Sequence, residues 1–386
     1  MSGPTSRPIR AAIVCDPLEE GWASMDLTGE MILEHFAARP GGAVAASCVR
    51  PRWHRRAERF TGSGAARNVD RIFNRLIDYP RDLKRLVKQS DFDLYHVVDH
   101  SYSQLLHVLP AGRAVVTCHD LDTFRCLLDP AAEPRPKWFR AMVRHSLRGL
   151  QKAAAVACNS ETTRQAILAH GLLPPERLHV VHVGVAAEFT PAADPPADAE
   201  VTAMLGETAG AGGGLLHVGS NIPRKRIDVL LEVFAAVRRE RPETRLWKVG
   251  GAFPPAFAEQ ARRLGVADAV VTLPFLSRAQ LAAVYRRAAL AVFPSDAEGF
   301  GFPLAEAMAC GAPVLASAIP AFLEVGGPCA RYAPVGDVTA WTAQALELLD
   351  APPSADEQAA ALAWSSRFRW TTHVDQLAEI YRALLA

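Results

Sequence analysis

The chain has 386 residues, of which 49% are hydrophobic and 22% charged, and its formal net charge is +1. This length and apolar content allow a sizeable core and predict two domains. The balanced charge gives no general attraction to nucleic acid, so we expect no nucleic-acid partner. The seven cysteines are scattered, odd in number and never spaced as Cys-x-x-Cys. Their spacing argues against a disulfide framework and against a zinc site.

The first ten residues are polar and lead into a short apolar run at residues 9–15. No stretch of about 18 apolar residues, the length that a membrane-spanning helix needs, occurs in the chain. The N-terminus therefore resembles neither a signal peptide nor a membrane span. We expect a cytoplasmic protein, with peripheral binding at the inner membrane face as an additional option.

Strand-like apolar runs alternate with longer helical patterns along the whole chain, which is typical of mostly parallel α/β sheets. In the first half, the predicted strands cover residues 9–15, 43–48, 94–98, 114–118, 153–158 and 178–181, and the predicted helices include residues 26–38, 136–151 and 160–170. In the second half, the predicted strands cover residues 215–218, 245–249, 269–273, 288–293, 313–316 and 330–332. The predicted helices there include residues 227–239, 255–264, 278–287, 338–348 and about 371–385.

Residues 191–214 are dense in Pro, Ala, Asp and Gly and predict an interdomain linker with one short helix at 199–205. The glycines at 210–214 precede a strand and no Gly-Lys-Ser/Thr follows, so a phosphate loop is disfavoured. The predicted domains are residues 1–190 and 215–370, and the terminal helix at about 371–386 is predicted to pack back onto the first domain. Two such domains leave a cleft at the carboxyl ends of their strands, where ligands of open α/β sheets bind.

The most informative segment spans residues 293–311 and reads FPSDAEGFGFPLAEAMACG. An apolar strand stops at Pro294, Pro303 suits the first position of a helix, and Gly311 suits the position after its end. A strand, a glycine loop and a helix start together present free N–H groups that bind anions, phosphates above all. Glu298 lies in the loop and Glu306 about one turn into the helix, so one carboxylate could meet a sugar and the other a ribose. The alternative is an ordinary β–α turn with a capping glutamate.

A second segment, residues 217–225, reads HVGSNIPRK between a strand and a helix. Arg224 and Lys225 stand at the loop-to-helix junction, where two cations can neutralise a pyrophosphate as it leaves. A solvated basic helix start is the alternative.

Two His and Asp pairs follow strands of the first half. His119 and Asp120 close the strand at 114–118, and Asp99 and His100 follow the strand at 94–98. All four are therefore predicted at the carboxyl edge of the sheet, although a lone His-Asp pair is more often structural. No third ligand stands at a suitable spacing from either pair, so we expect no metal site.

A basic run extends from Arg50 to Lys88, with few acidic residues and with interleaved apolar side chains such as Trp53 and Phe60. It predicts either a patch for a membrane surface or anionic acceptor, or a solvated helix face.

The chain resembles the retaining glycosyltransferases of family 4, which have the two-domain GT-B fold. The segments that carry the resemblance are residues 116–120, 158–161, 180–184, 189–191, 217–225 and 293–311. They run from about residue 95 to the C-terminus, and the first ninety residues match only loosely, around Glu20, Gly21 and Trp22. The resemblance implies an α/β architecture of two Rossmann-like domains facing each other across a cleft, the first for the acceptor and the second for the nucleotide sugar.

The resemblance also implies roles for individual residues. His119, Glu298 and Lys225 are the implied catalytic residues, with Glu298 contacting the donor sugar rather than acting as a covalent nucleophile. The implied donor-binding residues are Gly219, Ser220, Arg224, Lys225, Phe275, Leu276, Glu298, Gly299, Phe300, Gly301, Phe302, Leu304 and Glu306. The implied acceptor side consists of Gly21, Trp22, Asp99, His100 and Asp120. One departure is Ser220, since many relatives have an arginine directly after the glycine.

The implied activity is transfer of mannose or another hexose, with retained configuration, from a GDP- or UDP-linked donor. The acceptor would be a glycan, a lipid-linked molecule or a small molecule of bacterial polysaccharide or glycolipid synthesis. Neither a metal nor a further cofactor is implied. The alternatives are a nucleotide-sugar epimerase or hydrolase with the same fold, and a non-catalytic nucleotide-sugar-binding subunit.

Overall fold

The computed structural model describes residues 7–39, 41–206 and 214–386. It divides the chain into two compact units. The first unit runs to Gly184 and resumes at Trp370, and the second runs from Val185 to Arg369.

The described part of the first unit contains a six-stranded parallel sheet with the strand order β2-β1-β3-β4-β5-β6. Its strands are β1 (Ile9–Val14), β2 (Val44–Val49), β3 (Leu94–Val97), β4 (Ala114–Cys118), β5 (Ala155–Cys158) and β6 (Leu178–Val180). Its α-helices are α1 (Ala23–Ala37), α2 (Gly64–Phe73), α3 (Tyr79–Gln89), α4 (Arg125–Leu128), α5 (Lys137–Leu150) and α6 (Glu161–Ala169). A π-helical turn (Asn74–Asp78) joins α2 to α3, and 3-10 turns cover Leu18–Glu20, His100–His107, Asp122–Phe124 and Pro175–Arg177.

The described part of the second unit repeats this plan, with the strand order β12-β11-β10-β7-β8-β9 in a parallel sheet. Its strands are β7 (Leu215–Val218), β8 (Leu246–Val249), β9 (Val270–Thr272), β10 (Leu290–Phe293), β11 (Val314–Ser317) and β12 (Arg331–Ala333). Its α-helices are α7 (Pro195–Leu205), α8 (Ile227–Glu240), α9 (Pro255–Arg263), α10 (Arg278–Arg287), α11 (Phe302–Ala309), α12 (Pro320–Gly326), α13 (Val338–Asp350) and α14 (Ala355–Ser365). Shorter 3-10 turns cover Pro223–Lys225, Ala267–Ala269 and Gly327–Cys329.

The last helix, α15 (Trp370–Leu385), belongs to the first unit. It packs on α1, and the Tyr381 hydroxyl lies 2.5 Å from Nδ1 of the buried His96 on β3.

All the strands predicted from the sequence are present in the described residues, with ends within two residues of the prediction. The sequence analysis missed the helices α2, α3, α4, α12 and α14 and the 3-10 turn His100–His107. The start of α14 carries a usable signal, because Ser354 and Glu357 form a reciprocal capping box.

The stretch predicted as a linker differs from the structure. Residues Pro195–Leu205 form α7, which the Asp194 side chain caps. Asp198 on this helix pairs with Arg286 and Arg287 of α10, each at 2.8 Å, so the helix is an integral part of the second unit. Residues 207–213, which include most of the glycine run, lie outside the described residues.

In each sheet, the order in which successive strands are added changes direction at one point. In the first unit the reversal falls between β1 and β3, and in the second between β7 and β10. A crevice opens outside the carboxyl ends of the strands at such a point. The segments that follow these four strands are therefore the places where ligands are expected.

Each sheet packs on its own hydrophobic core. The inner strands of each sheet are buried on both faces, which is why they consist of continuous apolar runs rather than of alternating patterns. No helix in the described residues is long and apolar enough to span a bilayer.

Candidate active site

Glu298 lies at the strand reversal of the second unit, in the loop after β10, and is held by three side chains. Its Oε1 accepts hydrogen bonds from Lys225 Nζ at 2.6 Å and from Ser295 Oγ at 2.7 Å. Its Oε2 accepts from Arg224 Nη1 at 2.6 Å. The structure therefore brings together three residues predicted from two segments more than seventy positions apart.

The charge state of Glu298 follows from these contacts. Its side chain is only 6% exposed, and burial favours the protonated form. The charges of Lys225 and then Arg224 outweigh this effect and hold the pKa of the Glu298 carboxyl below its usual value. The carboxyl is thus ionised at neutral pH and fixed in one orientation.

Backbone contacts join the two loops that carry this cluster. The Asp296 amide donates to the Arg224 carbonyl at 2.9 Å, and Arg224 Nη1 donates to the Ala297 carbonyl at 2.9 Å. Arg226 has φ 49°, a left-handed conformation that no other non-glycine residue of the described chain adopts. This conformation ends the turn Pro223–Lys225 and lets α8 begin at Ile227. A strained residue beside a charged cluster is common at functional sites.

Gly219 follows β7 on the other side of the strand reversal. Its amide donates to the Val249 carbonyl at 3.0 Å, and carbon atoms of the Lys225 side chain lie within 4 Å of the place where a Cβ would stand. Ser220 follows and is exposed. The buried His217 ring donates from Nδ1 to the Val292 carbonyl at 2.9 Å, and burial, followed by the charge of Lys248, lowers its pKa to about 3.

The helix α11 begins at Phe302, so Pro303 occupies its second position rather than its first. Gly301 caps the helix with φ 104°, and a Cβ there would stand 2.7 Å from the Phe322 ring. The Leu304 amide, predicted to bind a phosphate oxygen, donates to the Gly301 carbonyl at 3.0 Å. A phosphate at this position would have to share that N–H.

The aromatic residues beside Gly299 and Gly301 have a packing role. Phe300 is buried, and its ring centroid lies 5.6 Å from that of Phe302 and 5.3 Å from that of Phe368. These contacts fix the loop backbone.

Glu306 is buried in the second turn of α11 and accepts a hydrogen bond from the Tyr285 hydroxyl at 3.1 Å. Burial raises the pKa of the Glu306 carboxyl to about 7, although the Tyr285 hydrogen bond acts in the opposite direction. The sequence analysis expects an ionised carboxylate here, and a pKa of about 7 places its titration near neutral pH.

Phe275 and Leu276 lie in the segment between β9 and α10. The Phe275 side chain is 91% exposed, which is unusual for a phenylalanine. Exposed aromatic rings at the carboxyl edge of a sheet are suited to stacking on a planar base.

His119 occupies the carboxyl end of β4 in the first unit and is buried. Its Nε2 lies 2.8 Å from the Val98 carbonyl, so Nε2 carries the proton. Nδ1 is then an acceptor, and it has no hydrogen-bond partner in the described part of the chain. Burial lowers the pKa of the ring, so this acceptor stays unprotonated.

The other three polar residues predicted at this edge have partners close by. Asp99 caps the turn His100–His107 by accepting from the Ser101 amide at 2.7 Å. His100 accepts from the His119 amide at 3.3 Å, and its Nε2 lies 3.6 Å from Asp120 Oδ1. Asp99 therefore has a structural role, and His100 links the two predicted pairs.

Gly21 and Trp22 follow the turn Leu18–Glu20, and Trp22 is 51% exposed at the start of α1. Gly21 ends the turn in a left-handed conformation with φ 71°.

Sequence reasoning missed Asp16, which follows β1 at the strand reversal of the first unit. It is 2% exposed, and its carboxyl group shares a hydrogen bond with that of Asp99. Burial, followed by the charge of Asp99, raises its pKa well above the usual value. The sequence feature that could have identified Asp16 is its position directly after an apolar strand, which is also the position of His119. Tyr285 and Ser295 were also missed, and no sequence signal marks either one.

Several arginines of the basic run from Arg50 to Lys88 form ion pairs within the first unit. Arg50 pairs with Asp26 at 2.7 Å and Arg56 with Asp78 at 2.6 Å, while Arg71 pairs with the buried Glu20 at 2.7 Å. The remaining exposed cations include Arg52, Arg55, Arg59, Arg67, Arg81, Lys84, Arg85 and Lys88.

Two family models match the chain, one for each unit. The model for glycosyltransferase family 4 matches residues 36–189, and the model for glycosyl transferases group 1 matches residues 213–351. Together they account for more than half of the chain. The chain therefore belongs to the glycosyltransferases that these two models describe.

Curated relatives agree with this assignment. A D-inositol 3-phosphate glycosyltransferase from Segniliparus rotundus is 37% identical over 226 residues, which are 55% of this chain and 48% of that protein. An MMP alpha-(1->4)-mannosyltransferase from Mycolicibacterium hassiacum is 31% identical over 69% of this chain and 64% of that protein. The chain thus spans about half to two thirds of the length of such relatives.

Solved structures share the fold at low identity. Sucrose-phosphate synthase from Thermosynechococcus elongatus matches with a TM-score of 0.75 and 19% identity over 98% of this chain and 99% of that one. HepE from Anabaena, in complex with UDP and glucose, matches with a TM-score of 0.72 and 16% identity over 97% and 100% of the two chains. The predicted α/β GT-B fold is confirmed.

Proposed function

We propose that this protein transfers a hexosyl group from a nucleoside diphosphate sugar to an acceptor hydroxyl, with retention of the anomeric configuration. The observation that carries the proposal is the ionised Glu298 carboxylate held by Arg224 and Lys225 at the strand reversal of the second unit. Fixed cations next to a fixed anion suit a leaving diphosphate on one side and sugar hydroxyls on the other.

Each member of this cluster has one step in the proposed reaction. Lys225 and Arg224 neutralise the diphosphate as the glycosidic bond breaks, so that the charge develops beside cations that are already oriented. Glu298 accepts hydrogen bonds from sugar hydroxyls. The departing phosphate oxygen takes the proton of the acceptor hydroxyl, which attacks from the same face.

The donor is proposed to be GDP- or UDP-linked, and mannose is the first sugar to test. Mannose is favoured by the name of the mannosyltransferase relative, and UDP by the ligand of HepE. Glu306 is proposed to bind the ribose and Phe275 with Leu276 to contact the base. Neither a metal nor a further cofactor enters the proposal.

The acceptor is proposed to be a glycan, a lipid-linked molecule or a small polyol bound in the first unit. Support comes from the buried Nδ1 atom of His119, which has no hydrogen-bond partner among the described residues and suits a hydroxyl donor. The His119 Nδ1 atom is proposed to accept a hydrogen bond from a substrate hydroxyl. A cytoplasmic location, with peripheral contact at the inner membrane face, remains part of this proposal.

The first experiment is calorimetric titration of the full chain with UDP, GDP and ADP and with their common sugar conjugates, with and without added magnesium. We expect one nucleotide diphosphate to bind without magnesium, and Lys225→Ala and Glu306→Ala to weaken that binding. Absence of binding to every nucleotide would contradict the donor assignment.

A second experiment separates transfer from the rival activities. Purified protein is incubated with the donor that binds, with and without candidate acceptors, and the products are followed by NMR. Transfer yields a glycoside of unchanged anomeric configuration. Acceptor-independent release or conversion of the sugar would favour the hydrolase or epimerase, and donor binding with every acceptor unglycosylated would favour a non-catalytic subunit.

A further inference from the structure

Lys248 lies in the middle of β8 in the second unit and is fully buried. Lysine is rarely buried completely unless a carboxylate pairs with it. In the described part of the chain, no Asp or Glu forms a salt bridge with this ammonium group. The protein therefore maintains a buried positive charge whose counter-charge is not supplied by a neighbouring side chain.

The ammonium group contacts the turn after β7. Lys248 Nζ donates to the Gly219 carbonyl at 2.5 Å and to the Val249 carbonyl at 3.0 Å. Gly250, with φ 104°, leaves room for the Gly219 carbonyl in this position, because a Cβ there would stand 2.3 Å from the Gly219 oxygen. The Gly219 carbonyl is thus fixed toward the interior of the sheet.

This contact determines the direction of the next N–H group. In a trans peptide the carbonyl and the following N–H point to opposite sides, and no peptide bond of the described chain is cis. Because the Gly219 carbonyl points at Lys248, the Ser220 N–H points away from it. Ser220 is exposed, and its N–H has no acceptor among the described residues.

The electrostatic surroundings also favour an anion. The titratable groups that face Lys248 are His217 of β7 and Lys225 of the turn Pro223–Lys225. His217 stays neutral because its pKa is about 3, and Lys225 shares the single Glu298 carboxylate with Arg224. Lys248 therefore adds a further positive charge directly behind the Gly219–Ser220 peptide.

We propose that Lys248 is a positioning residue for the donor diphosphate: it turns the Ser220 N–H toward a phosphate oxygen and supplies the positive charge that this phosphate balances. The inference rests on the proposed function. It also explains how a serine can stand at position 220, because a backbone N–H with a lysine behind it replaces a side-chain cation.

The pH dependence of binding provides a test that needs no variant. Burial, followed by the charge of Lys225, lowers the pKa of Lys248 to about 8, so the free ammonium loses its proton above that pH. A bound diphosphate stabilises the charged form, so binding above pH 8 must take up a proton. Glu306, with its pKa of about 7, is already ionised there and does not contribute.

The full chain is titrated calorimetrically with UDP and GDP between pH 7 and pH 9.5, in pairs of buffers with different ionisation enthalpies. We expect proton uptake that grows above pH 8 and an affinity that falls over the same range. Binding of the matched monophosphates UMP and GMP should take up fewer protons if the second phosphate of the diphosphate is the counter-charge of Lys248.

Two variants test the residue itself. Lys248→Met should abolish the uptake and weaken diphosphate binding on the order of tenfold or more, the range for a charged hydrogen-bonding group. Lys248→Arg should keep much of the affinity but lose its pH dependence, because arginine does not titrate. Arg239→Met, which removes an exposed cation of the same unit, serves as the control and should change neither property.

The outcomes separate this inference from the proposed function. If no nucleotide binds to the wild-type chain, the proposed function fails, and the inference fails with it. If UDP or GDP binds without proton uptake above pH 8, or Lys248→Met folds and binds with unchanged affinity, the proposed function stands and the role of Lys248 is overturned.

Discussion

At the scale of single residues, Glu298 combines two properties that are usually separate. It is a buried carboxylate, and it is the counter-ion of two cations proposed to bind phosphate. Removing one partner of such a buried cluster leaves the others without a counter-charge, which is usually costly to stability. A test of its role must therefore keep its shape.

Glu298→Gln is the appropriate change, because glutamine preserves the size and removes the charge. We expect transfer to fall on the order of 100-fold or more, as for the loss of one charged group that contacts the reacting molecule. Nucleotide diphosphate affinity should stay or increase, because Lys225 and Arg224 lose a competing anion. Steady-state rates and calorimetry measure the two effects, and Glu259→Gln on α9 is the control. Full activity in Glu298→Gln would remove Glu298 from the proposed mechanism.

The titration of Glu306 should make nucleotide affinity depend on pH in the opposite direction to the titration of Lys248. Its raised pKa of about 7 means that the carboxyl is neutral below this pH and ionised above it. If ribose hydroxyls donate to the ionised form, nucleotide affinity rises as the pH increases through 7, and binding near pH 7 releases a proton.

The phosphate group itself titrates near pH 6, so a variant is needed to isolate the Glu306 contribution. In Glu306→Gln the rise between pH 6.5 and 8 should flatten, whereas Tyr285→Phe should move the rise to higher pH, because the lost hydrogen bond favours the ionised carboxylate. Calorimetry across this range measures both. An unchanged profile in Glu306→Gln would mean that this carboxyl does not contact the ligand.

At the scale of elements, the contacts within the segment between β2 and β3 explain why neither interpretation of its basic sequence was sufficient. Asp70 on α2 accepts hydrogen bonds from three consecutive backbone amides, those of Arg56, Ala57 and Glu58, and so fixes a loop onto the helix. Carboxylates within the run have internal partners, and so do several of its arginines. Neither a purely solvated face nor a uniformly free basic patch describes it.

The membrane prediction is thereby confined to the exposed part of the segment. Phe60 is 78% exposed with Arg59 stacked on its ring at 4.6 Å, and Arg52 and Arg55 are also exposed. An apolar tip surrounded by arginines is suited to an anionic bilayer surface.

We expect Phe60→Ser and Arg59→Glu each to reduce co-sedimentation with vesicles that contain phosphatidylglycerol. The apolar insertion or the charge attraction is lost, while the internal pairs that hold the loop stay intact. Arg239→Glu in the other unit changes the net charge equally and is the control. Equal sedimentation of all variants, or none for the wild type, would argue against membrane contact here.

At the scale of the whole molecule, the chain leaves its first unit at Gly184 and returns to it at Trp370. The return is anchored by a buried chain of polar groups, in which the Tyr381 hydroxyl contacts His96 Nδ1 and His96 Nε2 lies 2.8 Å from the Thr117 hydroxyl. Burial lowers the pKa of His96 to about 3, so the ring stays neutral in this chain.

Tyr381→Phe should destabilise the first unit by about 1–3 kcal/mol, because it leaves a buried ring nitrogen without a partner. Urea unfolding measures the effect, and it should be the same at pH 6 and pH 8, where His96 does not titrate. Arg382→Ala, the exposed neighbour on the same helix, is the control. A loss no larger than that of the control would show that the helix is held by its apolar contacts alone.

The sequence by itself determined the alternation of strands and helices, because buried parallel strands must be continuous apolar runs and turns need glycine and proline. It also determined which polar residues follow strands, and thereby His119, Gly219 and Glu298 as candidates. It did not assign α2 and α3 as separate helices, although both have a clear helical period, because the segment was interpreted by its charge.

Only the tertiary structure decided which of these residues meet. The strand order brings the segments after β7 and β10 together, so that Glu298 meets Lys225 from more than seventy positions away. It also gives Asp99 a capping partner, buries Asp16, and sets Lys248 behind Gly219. Such facts depend on strand order and burial, which are properties of long-range packing and leave no local pattern in the chain.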